Sequence, residues 1–122
     1  MYSRHLSAAI LPHMHNQMDI IAWDFVSYYY HPHLIQREEM KTVSSTKIFD
    51  DGTSKCRSVK LKTAEVDLGA VAYKLKFLKR YGLHFHYLNK TYSSQSDGFF
   101  AERAASLTKN SIILRQTLFI HQ

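Results

Sequence analysis

At 122 residues the chain fits one domain, residues 1–122, able to bury a core without metals or disulfides. A hydrophobic fraction of 45% with 21% charged residues, four Gly and two Pro, excludes a low-complexity or disordered polypeptide. The net charge of +6 marks a basic protein, and a single cysteine, Cys56, excludes an intrachain disulfide, so a reducing, intracellular compartment is expected.

Residues 1–18 contain Arg4, Ser3 and Ser7 and no acid before Asp19, a bias shared with mitochondrial presequences. An ordinary segment leading into a helix is the preferred reading, with the mitochondrial matrix as the alternative location. No run approaches the roughly 18 apolar residues that a membrane span needs.

From His13 to Tyr30, the residues Met14, Met18, Ile21, Ala22, Phe25, Val26 and Tyr29 recur at spacings of three and four. This predicts an amphipathic helix with Pro12 in its first turn, ended by His31-Pro32-His33. Two Thr- and Ser-rich runs, 40–49 and 54–62, flank Asp50-Asp51-Gly52-Thr53, and Asp-Gly between such runs predicts a β-hairpin. The second run changes parity near Ser58, which points to a bulge or a projecting tip.

Asp67 to Gly82 admits two readings. As a helix, Asp67 is the N-cap, Leu68, Val71, Ala72, Leu75 and Leu78 form the buried stripe, and Gly82 is the C-terminal cap. As a strand, Val71, Tyr73, Leu75 and Phe77 alternate with Lys74 and Lys76. The helix is preferred on length and on its Ala, Leu, Lys and Arg content. It places Tyr73 and Phe77 outside, between Lys76 and Arg80. Leu83 to Tyr87 alternates as a strand, Phe99 to about Lys109 reads as a helix with Asp97 as cap, and Ser111 to Ile120 reads as the last strand. The expected fold is α+β: a small single domain with an about four-stranded sheet, including the 40–49/54–62 hairpin, packed against two or three helices.

The charge is concentrated. Residues 1–54 carry a net −2 and residues 81–122 a net +2, whereas residues 55–80 carry +6. Such a field attracts an acidic partner by long-range steering and counterion release. The candidate contact residues are Lys55, Arg57, Lys60, Lys62, Tyr73, Lys74, Lys76, Phe77, Lys79 and Arg80, because rings that stack on bases and cations that neutralise phosphates together suit nucleic acid or another acidic surface.

Catalytic signals are weaker. His84 and His86 on a strand would point to one side and are the best metal candidates, yet two histidines do not complete a zinc site. Leu83-His84-Phe85-His86-Tyr87 superficially resembles the metal-binding strand of the α-type carbonic anhydrases over five residues. That family's third ligand has no counterpart here, so no role is carried over. No nucleophile elbow or Gly-rich phosphate loop occurs. Neither a metal nor a cofactor is expected. The sequence therefore favours a non-catalytic binding or assembly subunit of a larger intracellular complex, docking on nucleic acid or an acidic protein surface through residues 55–80. The alternative is a small enzyme or ligand-binding domain with a pocket lined by Trp23, Phe25 and Tyr29 near the His84/His86 strand.

Overall fold

In the computed structural model, which describes residues 1–28, 54–63, 65–85 and 95–121, the run expected to form one long first helix divides near Met18. Leu6–His15 form helix α1 and Ile20–Tyr28 form strand β1. Burial explains the difference. Ile20, Ile21, Ala22 and Trp23 are buried in succession, as a strand covered on both faces requires and a helix with one apolar face does not. Pro12 falls inside α1 instead of in a first turn, three residues before the helix ends. The end is a Schellman turn: Gln17 N donates to Met14 O at 3.1 Å, and Met18 N donates to His13 O at 3.2 Å.

β1 is the middle strand of the sheet. Ser54–Arg57 form β2 and Val71–Tyr73 form β3, both antiparallel to β1. β3 lies opposite Ile20–Ala22 and β2 opposite Phe25–Tyr28, so the two occupy successive stretches of one edge. Ser111–His121 form β4, which runs parallel to β1 along the other edge. The four strands β1–β4 form one sheet, its segments laid three abreast, and the expected 40–49/54–62 hairpin is represented in it only by its second run. Residues 40–49 lie outside the described residues. The 54–62 run is a strand only to Arg57, because Val59 N turns away from the ladder to donate to Asp24 Oδ1 at 2.9 Å.

The ambiguous stretch after Asp67 resolves into several elements, so each reading holds for part of it. Asp67 accepts from Gly69 N at 2.8 Å and caps a single 3₁₀ turn, Leu68–Ala70. β3 follows and pairs with β1. Lys74 then stays extended, donating its N–H to Asp19 O at 2.8 Å, before helix α2 starts at Leu75 and ends at Arg80. Gly82, at φ +60°, closes α2 as expected, with Leu83 N donating to Leu78 O at 2.9 Å and the two leucine side chains packed in one cluster. Leu83 to Phe85 do not join the sheet, contrary to the expected strand, and residues 86 and 87 lie outside the described residues. Helix α3 covers Ser96–Ser106; Asp97 sits in its first turn, with Gln95 as the N-cap.

Two apolar clusters hold these parts together. Trp23 and Phe25 of β1 pack with Val59, Ala101 and Leu118, and Ile20 packs with Phe77, Leu83 and Ala104. α3 contributes Gly98, Ala101 and Ala104 to its buried side, small residues that let its backbone approach closely. α2 and α3 therefore meet over Ile20, which turns the remaining faces of α2 to solvent.

Candidate basic docking surface

The cations of residues 55–80 are distributed over β2, the following turn and α2. Lys55 and Arg57 stand on β2 opposite Ser27 and Phe25. Lys60 and Lys62 belong to a tight reversal in which Lys60 N donates to Glu65 O at 3.1 Å and Glu65 N to Lys62 O at 3.1 Å. That reversal brings Lys60 Nζ to 3.7 Å from Glu65 Oε2, so this cation is partly compensated where it stands. Lys74 is also engaged, its Nζ donating to Gln17 Oε1.

Lys76, Lys79 and Arg80 form the exposed side of α2. Positions three and four apart on a helix are neighbours, so Lys76 borders both Lys79 and Arg80. None of the three has a carboxylate partner among the described residues.

Every described carboxylate, by contrast, is occupied within the fold. Asp19 accepts from Thr108 Oγ1 at 2.6 Å, Asp24 is paired with Arg115 at 2.9 Å, and Asp67 contacts His121 Nδ1. Asp97 accepts from Leu68 N at 3.0 Å, and Glu65 faces Lys60. Glu102 accepts from Thr63 Oγ1 at 2.5 Å and Thr63 N at 3.2 Å. These bonds from Thr63, side chain first, hold the Glu102 carboxyl below its ordinary pKa, assisted by the nearby Lys62 charge.

The expected rings between these cations are not where the helix reading put them. Phe77 is only 4% exposed and packs inward against Ile20, Leu83 and Ala104. Tyr73 belongs to β3, half-buried and edge-on to Phe100 with centroids 5.1 Å apart. Burial, and then the negative charge of Asp97, raise its phenol pKa well above the ordinary value. Starting the helix after Lys74 sets a new phase and turns Phe77 to the interior. An exposed ring at the end of α2 is Tyr81, which follows Arg80 in the chain, is 43% exposed, and is held edge-on by Phe77, four residues earlier, at a centroid distance of 5.4 Å. Its signal in the sequence was its place between Lys79-Arg80 and the helix-ending Gly82.

Of the residues expected to line the alternative pocket, Trp23 and Phe25 belong to the core and Tyr29 lies outside the described residues. Among the described residues, Trp23 Nε1 and Tyr73 OH are buried with no hydrogen-bond partner. His84 is exposed after α2, and His86 lies outside the described residues. Among the described residues no group of three or more His, Cys, Asp or Glu is placed to hold a metal ion, and no helix is long and apolar enough to cross a membrane. No family model, curated protein or solved structure matches this chain.

Proposed function

We propose that this chain is a non-catalytic binding or assembly subunit of a larger intracellular complex, docking on nucleic acid or an acidic protein surface through the basic segment 55–80, with α2 at the centre of the contact. One observation carries the reading. The fold engages each described carboxylate internally while leaving Lys76, Lys79 and Arg80 exposed and without an acidic partner among the described residues. Stability does not account for all three. Lys79 and Arg80 complement the C-terminal end of the helix dipole, but Lys76 lies near the N-terminal end, where a cation is disfavoured, and repels Arg80 one turn away.

A polyanion would relieve that repulsion and release its own condensed counterions on binding. The protein is expected to be retained on heparin and to elute at raised salt. Triple substitution Lys76→Glu, Lys79→Glu and Arg80→Glu, at exposed positions, is expected to abolish retention while lowering the thermal midpoint only modestly, through the helix-dipole complement lost at positions 79 and 80. Equal elution of the parent and the triple variant would remove α2 from the proposal.

A further inference from the structure

We infer that the partner received by α2 is single-stranded nucleic acid, its phosphates on Lys76, Lys79 and Arg80 and a base stacked on the ring of Tyr81. This inference rests on the docking role proposed above and narrows it to one class of partner.

The narrowing comes from Tyr81. A large aromatic ring, 43% exposed, follows directly on two exposed cations. It is not loose: Phe77, itself buried, holds it at an interplanar angle of 66°, and the Schellman turn through Gly82 fixes the backbone on its other side. A ring positioned in advance loses little entropy on contact, which makes it an effective stacking platform. Lys76, Lys79 and Arg80 occupy successive neighbouring positions on the preceding turn, matching a flexible phosphate chain that carries one charge per nucleotide.

Other acidic partners use only part of this arrangement. A carboxylate-rich protein surface can pair with the cations but offers Tyr81 no π-face. A duplex presents phosphates with its bases closed within the stack, so the ring meets only backbone. A single strand offers both charges and open base faces, and base–aromatic stacking is tolerant of sequence.

The test uses the full chain and three fluorescein-labelled probes at one ionic strength: an oligouridylate, a duplex of the same length and a polyglutamate peptide of equal charge. Anisotropy titrations are expected to rank the oligouridylate tightest. Tyr81→Ala is expected to weaken oligouridylate binding about 5- to 150-fold, the range for one stacked base, with little change for polyglutamate or heparin. Because Tyr81 also touches Phe77, Tyr81→Leu keeps apolar bulk on that ring without a π-face and is expected to show the same selective loss, whereas Tyr81→Phe retains binding. Unchanged oligouridylate affinity in a folded Tyr81→Leu variant overturns the inference, as does polyglutamate or duplex binding as tight as the single strand. If heparin retention depends on Lys76, Lys79 and Arg80 but oligouridylate does not bind, the inference fails and the docking role stands. If charge reversal leaves heparin retention unchanged, the inference falls and α2 drops out of the docking proposal.

Discussion

The ring of Phe119 lies so close over Gly69 that a β-carbon at position 69 would sit 2.3 Å from its Cζ. Phe119 is on β4 and Gly69 in the 3₁₀ turn before β3, so the absent side chain lets a loop approach the far edge of the sheet. Gly69→Ala is expected to force the ring aside and destabilise the protein by about 1–3 kcal/mol, the usual cost of overpacking. Urea unfolding measures it. A partial rescue by Phe119→Leu in the double variant would assign the loss to this contact.

Gly82 differs in kind. Nothing lies within 4 Å of a β-carbon built there, and only its φ of +60° opposes a side chain. Gly82→Ala is therefore expected to cost about 1 kcal/mol through backbone strain alone, without any change at a neighbouring residue that could rescue it. Gly82→Asn should recover part of that loss, since asparagine tolerates the left-handed region better. Equal stability of the Ala and Asn variants would contradict the assignment.

Asp24 and Arg115 close the irregular part of the β1–β4 pairing. The register jumps from Trp23↔Leu114 to Asp24↔Thr117, and Arg115, in the extra length of β4, donates from Nη1 to Asp24 Oδ1 at 2.9 Å and to Val59 O at 3.1 Å. Asp24 also receives Val59 N. Asp24→Ala is expected to cost about 1–3 kcal/mol because it strands that N–H, and Arg115→Ala less, since the guanidinium is largely exposed. A double-mutant cycle in urea is expected to give a coupling of about 1 kcal/mol. Additive losses would show the pair to be inert.

Glu102 supplies a pH dependence with a definite sign. Its folded pKa is depressed by Thr63, so the contact stabilises at and above the ordinary value of 4.5 and is lost as pH falls through the lower folded value. An NMR titration of the Glu102 carboxyl is expected to give a midpoint below 4.5, and Thr63→Val should move it upward while the backbone bond keeps part of the depression. A midpoint at or above 4.5 in the parent protein would show that Thr63 does not hold the carboxylate in solution.

How legible the fold was depends on what each segment faces. β4 could be read from its β-branched and apolar residues, and α3 from a helical run interrupted by few competing signals. β1 could not. A central strand buried on both sides shows no alternation, and when its apolar run follows a short helix the combined spacing imitates one longer helix. The 67–82 stretch failed through division: a turn, a strand and a helix were compressed into a length that one helix would fill, with only Lys74 between strand and helix. The same error decided the site. The concentration of charge was plain in the sequence, but choosing which rings accompany it required the phase of α2, and that phase is set by Lys74 N bonding to Asp19 O, a contact remote in the chain.

The parallel alignment of β1 with β4 also sets an order of events in biosynthesis. Parallel neighbours so distant in sequence cannot meet by a local turn, and the entropy of closing that large loop must be met before their ladder returns any enthalpy. The nascent polypeptide consequently carries Ile20–Val26 without its longest partner until Ser111–His121 have left the ribosome. During that interval the most water-averse stretch of the molecule depends on chaperones or on provisional contacts for protection, and slow refolding with aggregation at high concentration is the expected laboratory counterpart.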